Sequence, residues 1–588
     1  MQTVAAAVVV GAEEGMAMGG VPLAAKAVVT LGLVAVMSPV LGIPPKGGAA
    51  TPPADAWPEF HGSPALTGTS VDPTITSTNA SQLGVKWMSP VGGSSSSPVV
   101  AWNSDLGATV VYDGAGARYL DALNAANGSL LWSDSFGAQV ISSPLEEGNS
   151  VWIAPESGRR IFKLNASTGA VECTAKVNHS ILSTPVIATP PGGHTTLYFA
   201  ALGSGSSDGL VYAFSESNCS RIFTWNGYTR PGDMTGVWDP LSYGVDASGQ
   251  PLLVFGSANP DSSVYAISAV TGRQVWTFNT EDPSPTDDFD VGAGVDISAP
   301  GNDGFADGMA YVECKNGIFY ALNLTTGALV WSYNFAAGAG DLGPSGTNAV
   351  STPALSGTTL VFGDAEGIYA LNAVSGKLLW HEAETTDVMS SPAIFGPVGL
   401  QVVAFGASGG NVRVLALSSG NVLYSYPTTG TISSSPAVVS GELLINSYDG
   451  FLYSFALGGG NGPSPTTKIT SPARGAVVNP DGDLTITGTA TAPHGVSVVT
   501  VEVERDPPRG PWQSLGNYTQ GLAMNDAVLA DPGAVSTSWS LQLPVSSLRT
   551  SYRVLASAVD ADAIADTTPD GTAVIRFNGH SVVALRSG

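Results

Sequence analysis

The sequence predicts an all-β protein: an eight-bladed β-propeller closed by an N-terminal strand, followed by a smaller β-sandwich. Three observations predict this class. A strand–turn–strand phrase recurs along residues 57–457. The composition is rich in turn formers, with 72 glycines and only 12% charged residues. The recurring end positions number eight only when an early, isolated strand is counted.

The clearest copy of the phrase is YVECKNGIFYALNLTTGALVW, residues 311–331. Ile318 to Leu322 alternates as a strand does, Thr325-Thr326-Gly327 makes a tight turn, and a second short strand ends on Trp331. Close copies are ALNAANGSLLW (122–132), AISAVTGRQVW (266–276) and ALNAVSGKLLW (370–380). Weaker ones are KLNASTGAVEC (163–173), AFSESNCSRIFTW (213–225) and VLALSSGNVLY (414–424). Self-similarity at this period marks a repeat architecture. The expected end positions are Trp87, Trp132, Cys173, Trp225, Trp276, Trp331, Trp380 and Tyr424. The last repeat, residues 433–457, lacks its final strand, and the strand ending on Trp87 lacks a first half. Joining the two closes a ring and removes the open sheet edges of a linear array.

Length and charge bound the function. At 588 residues the chain exceeds one core. A formal charge of −25 argues against nucleic acid and against an anionic membrane surface as partners. The six histidines show no metal-ligand spacing. Cys173 and Cys219 sit in successive repeats near the end position and the turn, where either an interblade disulfide or buried thiols would fit.

In chain order, residues 1–56 read as an export signal or anchor with its linker. An uncharged apolar run covers 27–43, short for a membrane span and interrupted by Pro39. The protein is therefore expected to be secreted or at the cell surface. Residues 57–457 carry the propeller, and GGGNGPSP opens a linker over 458–467. Residues 468–588 change to non-repeating short strands, ITSPARG, GVSVVTVEVERD, VSTSWSLQL and YRVLASAVDADA. These resemble the bacterial Ig-like or fibronectin-like modules of exported proteins, which implies an Ig-like β-sandwich used for adhesion or spacing.

Most repeats open with Ser/Thr-Ser/Thr-Pro, as at 96–98, 142–144, 183–185, 351–353, 390–392 and 434–436. Two neighbouring repeats depart from it. The fourth has GVWDP (236–240) and the fifth TDDFDVGAGVD (286–296), which is expected to put Trp238, Asp239, Asp288 and Asp290 near the axis.

The repeat A-x-N/D-x3-G-x3-W, the closing strand and the eightfold count resemble the pyrroloquinoline quinone (PQQ) dehydrogenases and their non-enzymatic propeller relatives. FGSANPDSSVYAI (255–267) resembles the family's GxGNP segment, and DDFD (287–290) its D-E-W-D segment. CKNGIFYAL (314–322) resembles its D-R/K-N-G segment. The resemblance implies Asp290 as catalytic base and Lys315 on the quinone oxygens. It implies Asn259 on calcium and cofactor, with Asp290 as the other residue at the metal, and Trp238 as the ring on which PQQ stacks. A carboxylate would take the hydroxyl proton of an alcohol or polyol while hydride passes to the quinone. Three departures stand beside it. The adjacent-cysteine disulfide is absent, and Asp208 is the only acid where a calcium-binding Glu is expected. No haem motif occurs, so electrons would leave to an external acceptor.

Each residue also has a plain structural reading. Asn259 precedes Pro260 and suits a turn, and the acids at 287–290 suit a solvated loop. Lys315-Asn316-Gly317 suits a hairpin, and Trp238 suits interblade packing. Two functions therefore stand: a PQQ-dependent oxidoreductase, or a non-catalytic propeller binding a cell-surface or protein ligand.

Overall fold

The computed structural model describes residues 56–459, apart from 203–209, 228–235, 260, 281–288, 303 and 337–349. Beyond 459 it describes 466–471, 484–492, 496–505, 513–517, 527–530, 536–543, 551–560 and 570–576. The leader expected over 1–56 lies, but for Ala56, outside the described residues.

Eight four-stranded antiparallel sheets follow one another along the chain. The first takes Val99–Asn103, Ala108–Ala115, Tyr119–Asn124 and Leu130–Ser135. The fourth takes Ser242–Val245, Pro251–Gly256, Ser263–Ser268 and Gln274–Asn279; the fifth takes Asp296–Ser298, Met309–Cys314, Ile318–Asn323 and Leu329–Asn334. The eighth has Ala437–Val439, Glu442–Asn446 and Phe451–Leu457, and its fourth strand is Leu83–Pro90 from the start of the chain. Leu83 lies opposite Leu457 and Pro90 opposite Phe451. The first strands of neighbouring sheets adjoin all the way round, Val99–Asn103 meeting Ala437–Val439 as well as Leu145–Glu147. The orphan strand thus supplies what the last repeat lacks.

The recurring tryptophan fastens each sheet to the next. The Trp331 indole N–H donates to the Ala373 carbonyl at 2.9 Å, and a Cβ on Gly376 would come within 2.6 Å of the ring. Trp87, Trp132, Trp276 and Trp380 donate in the same way to Ala125, Ala166, Leu324 and Leu417. Gly376 has φ +66°, so the position needs glycine both for its backbone and for the ring that covers it. In the second sheet the end position is Cys173, opposite Lys163, and a disulfide joins it to Cys219 of the third. Cys219 holds the glycine position with φ +56°. A covalent bond therefore replaces the indole clamp, and Cys314 is the remaining thiol, buried.

One end position needs correction. The third sheet pairs Ala213 with Phe223, as the fifth pairs Ala321 with Trp331. Phe223, not Trp225, therefore packs on the next glycine, Gly272. Trp225 sits two residues further on and packs edge-on against Phe255 and Tyr265.

The stretch before the closing strand runs along the innermost strands and visits the sheets in order. Val100 donates its N–H to the Trp57 carbonyl and Glu146 to that of Pro58. Tyr243, Ile297, Leu355 and Ile394 donate to the carbonyls of Pro64, Ala65, Thr67 and Gly68. Ile187 bonds the Glu59 carboxyl, and Gly441 the Asp72 carboxyl. A strand edge that would be left without partners is satisfied sheet by sheet. His61 lies buried within this strap, its ring nitrogens 2.8 Å from the Leu66 carbonyl and 2.9 Å from that of Pro392.

The C-terminal part forms two further four-stranded sheets. One orders Thr466–Ser471, Leu484–Thr491, Ser536–Leu543 and Val528–Leu529; the other orders Gln513–Asn517, Val496–Arg505, Ser551–Asp560 and Asp570–Arg576. Ile486, Trp539 and Leu541 of the first share a core with Val499, Val501 and Ala556 of the second. Its first strand begins at Thr466, inside the expected linker.

Candidate functional site

The Ser/Thr-Ser/Thr-Pro motif immediately precedes the innermost strand in six of the eight sheets, and its two hydroxyls have different tasks. The first caps the sheet's own second strand: Gly114, Gly363 and Gly406 donate N–H to Ser96, Ser351 and Ser390. The second forms a belt from sheet to sheet. Ser97 donates its N–H to Ser143 Oγ, Ser143 to Thr184, Thr352 to Ser391, Ser391 to Ser435, and Ser435 to Ser97. Gly294 of the fifth sheet donates to Thr352 at 3.0 Å but brings no hydroxyl of its own. In the fourth sheet Ser242 pairs with Val254 as Val99 pairs with Tyr112, which sets Asp239 level with Ser96 and Pro240 level with Ser97. Proline has neither hydroxyl nor N–H, so the belt is open between the third and fifth sheets.

The four residues singled out from the sequence meet beside this opening. Asp290 Oδ1 accepts the Asn259 backbone N–H at 2.6 Å, and Asp290 Oδ2 lies 3.2 Å from Lys315 Nζ. The Lys315 backbone N–H donates to the Asp290 carbonyl at 3.0 Å, so the lysine grips this residue twice. The same ammonium lies 5.3 Å from the centre of the Trp238 ring, a cation–π distance. Gly292 makes room for the indole, since a Cβ there would lie 2.4 Å from it. Asp290 and Lys315 are largely buried, with side chains 12% and 13% exposed.

Local sequence explains each position. Asn259 lies in the turn between the second and third strands of the fourth sheet, and Lys315 in the matching turn of the fifth, closed by Gly317 at φ +80°. Trp238 and Asp290 come from the segments that lead into the first strands of those sheets. Lys315 is thus both a hairpin residue and an ion-pair partner. Asp290 does not take a motif position as expected; Ala293 to Val295 do, and Asp290 precedes them. Asp288 lies outside the described residues, as does Asp208.

Asp239 adds a second carboxyl. Its Oδ2 accepts the Gly256 N–H at 2.9 Å, the bond that serine makes elsewhere, while Oδ1 is buried without a partner. Burial pushes this carboxyl well above the usual range, and the charge of Asp290 adds to that. Sequence reasoning named Asp239 but missed the Gly256 and Gly292 that seat it and its neighbour.

An indole, an ammonium and a carboxylate converging in one place suit a flat, anionic or carbonyl-bearing small molecule. They suit a calcium ion less well. Calcium takes six to eight oxygens, and here both oxygens of Asp290 are already engaged. Among the described residues no group of three or more His, Cys, Asp or Glu is placed to hold a metal.

Comparison with known proteins agrees with the fold. The family model described as outer membrane protein assembly factor BamB, a PQQ-repeat family, matches residues 72–246 and 260–500. The factor of that name from Yersinia pestis is 26% identical over 292 residues, 47% of this chain and 68% of its own. That from Escherichia coli is 23% identical over 61% of this chain and 88% of its own. A tetrathionate hydrolase from Acidithiobacillus ferrooxidans is 25% identical over 47% of this chain, which spans about half (52%) of that protein. Among solved structures, the quinohemoprotein alcohol dehydrogenase from Comamonas testosteroni superposes with a TM-score of 0.58 at 15% identity, over 71% of this chain and 83% of its own. A europium-containing methanol dehydrogenase gives 0.56 at 15% identity, over 68% and 98%.

Proposed function

The chain belongs to the PQQ-repeat propeller family described as outer membrane protein assembly factor BamB, and from that premise we propose an extracytoplasmic quinone-binding propeller that oxidises an alcohol or polyol. One observation carries the reading: Trp238, Asn259, Asp290 and Lys315, drawn from two consecutive repeats, meet within hydrogen-bond and cation–π distance of one another. The solved structures named dehydrogenases share the fold, and the choice of chemistry rests on the site residues rather than on that likeness.

In this reading Trp238 offers its indole face to the ring of PQQ and Lys315 offers its ammonium to the quinone oxygens. PQQ, when bound, supplies the two-electron acceptor for hydride leaving the alcohol carbon. Lys315 pairs with Asp290 and balances its charge in a largely buried place. Asp290 takes the hydroxyl proton as the carbinol becomes a carbonyl, and the Asn259 N–H fixes its carboxylate. The electrons then pass to an external acceptor. No step is assigned to calcium, because the described residues do not offer its oxygen shell.

The Cys173–Cys219 disulfide supports an oxidising compartment, and with it export by the apolar run at 27–43. The C-terminal sheets serve as an Ig-like spacer or adhesion module. A second reading is favoured by the Asp290–Lys315 pair, which already satisfies itself. In that reading the propeller is a non-catalytic module for a protein or cell-surface partner, as the name assembly factor says of its relatives.

The test is dye reduction by the purified chain with PQQ, with and without calcium, against a panel of alcohols and polyols. Turnover that disappears in a folded Asp290→Asn variant supports the enzyme. No turnover under any condition leaves the binding module.

A further inference from the structure

Where the motif keeps its serine, the first hydroxyl works in both directions. Ser96 accepts the Gly114 N–H and donates at 3.2 Å to the Ser142 carbonyl of the next sheet. Ser351 accepts the Gly363 N–H and donates at 3.3 Å to the Ser390 carbonyl. Ser183 accepts the Ala200 N–H and donates to the Ala200 carbonyl. In the fourth sheet Asp239 takes this place and makes only the accepting half, to the Gly256 N–H. Its Oδ1 is buried without a hydrogen-bond partner, in a residue 1% exposed. The place calls for a donor, and an ionised carboxylate has none to give; a carboxyl that keeps its proton does.

The surroundings tie this oxygen to the candidate site. Asp239 directly follows Trp238, and Gly256 stands three residues before Asn259. The sheet that follows the fourth carries Asp290 and Lys315, and its own motif places, Ala293 and Gly294, bring no hydroxyl. Among the described residues, the acids of the fourth sheet are otherwise engaged: Asp246 holds Ser248 and Gln250, and Asp261 accepts from Ser257. On the fifth, Glu313 accepts the Ser351 N–H, Asp296 is buried on the first strand, and Lys315 pairs with Asp290. Asp290 is the group whose charge acts on Asp239, and like burial it opposes ionisation. The Gly256, Asp239 and Trp238 backbone N–H groups favour the ionised form, but burial outweighs them, and Oδ1 has no hydrogen bond from any of them.

We propose that Asp239 is a ligand-binding residue of this site, holding a proton at neutral pH and donating it as a hydrogen bond to a carbonyl oxygen of the bound quinone. The ligand rests on the quinone reading; the proton rests on the geometry of Asp239 itself. A carboxylic acid kept neutral by burial is a good donor to a carbonyl. Its neutrality also leaves the Asp290–Lys315 pair balanced, whereas a second carboxylate beside it would not.

The test follows PQQ binding by thermal shift across neutral and alkaline pH, and stability against pH without ligand, in wild type, Asp239→Asn and Asp239→Ser. Asparagine accepts the Gly256 N–H and still offers a donor, so at neutral pH it binds PQQ within about threefold of wild type. Wild-type affinity begins to fall at lower pH than that of Asp239→Asn, because only the acid can ionise. Serine, the residue of the other sheets, keeps the cap and turns its hydroxyl to the neighbouring carbonyl; it binds about five- to tenfold more weakly. Without ligand, the folded acid keeps a proton that its unfolded form loses above about pH 4. Wild-type stability therefore falls with rising pH more steeply than that of either variant, by up to about one proton. Either variant suffices for this comparison should the other fail to fold. Equal slopes in wild type and variants overturn the proposal. So does PQQ binding in Asp239→Ser equal to wild type at every pH, the result expected of a cap alone. No PQQ binding by wild type, with the difference in slope intact, overturns the quinone reading and the ligand named here while establishing the proton on Asp239.

Discussion

At the rim of the ring, each break in the repeat has a substitute, while at the inner end two breaks have none. Where the second sheet loses its tryptophan, Cys173 bonds to the cysteine that stands in the glycine position. Where the third loses it, Phe223 packs on Gly272 instead. At the inner end Pro240 and Gly294 interrupt the hydroxyl belt, and among the described residues none is seen to restore it. Trp238, Asp290 and Lys315 meet at that gap. A compensated departure keeps the fold; an uncompensated one marks a place kept for something else.

The largest effect expected is at the compensated rim. Cys173→Ser with Cys219→Ser opens a crosslink spanning 46 residues and costs about 4 kcal/mol in denaturant unfolding on the chain-entropy scale. Cys173→Trp with Cys219→Gly rebuilds the ordinary clamp and recovers much of that loss; a rebuilt clamp no better than the serines would break the equivalence of bond and indole. Trp331→Ala comes next, at about 3 kcal/mol, through the lost ring and its bond to Ala373.

Smaller effects test the inner end. Asp290→Asn strands the Lys315 ammonium and costs about 1–3 kcal/mol, since the pair retains some exposure. Adding Lys315→Met recovers part of it; strict additivity of the two changes would show that the ions do not interact. The pH dependence has a definite sign. Burial raises Asp121 and Glu146 to about 7 and Asp364 to about 6. Unfolded, such groups titrate near about 4, so between pH 4 and 7 the folded chain binds more protons. Stability is therefore greatest at the acid end of that window and falls as pH rises, by up to about 1.4 kcal/mol per unit for each group. A melting temperature that climbs over this window would contradict the burial argument.

Much of this was legible in the sequence because the repeat reports on itself. The phrase ending on Trp331, the strand carrying Trp87 and the paired cysteines each have a local pattern. The position of Phe223 was hidden because it and Trp225 lie on one face of a strand, and only pairing with Ala213 separates them. The strap at 57–72 was not legible at all: its bonds are mostly made by backbone carbonyls, which no side-chain pattern reveals. The site residues were visible as motif words, but their mutual engagement was not, since it joins a turn to a segment some 25 residues away.

The most direct measurement is the binding of PQQ itself, read as a shift in melting temperature of the purified chain. A ligand site at the uncompensated gap predicts a shift in wild type and in the rebuilt Cys173→Trp/Cys219→Gly clamp. It predicts loss of that shift in Trp238→Ala and in Lys315→Met. No shift in wild type, or an equal shift in all four proteins, would contradict it.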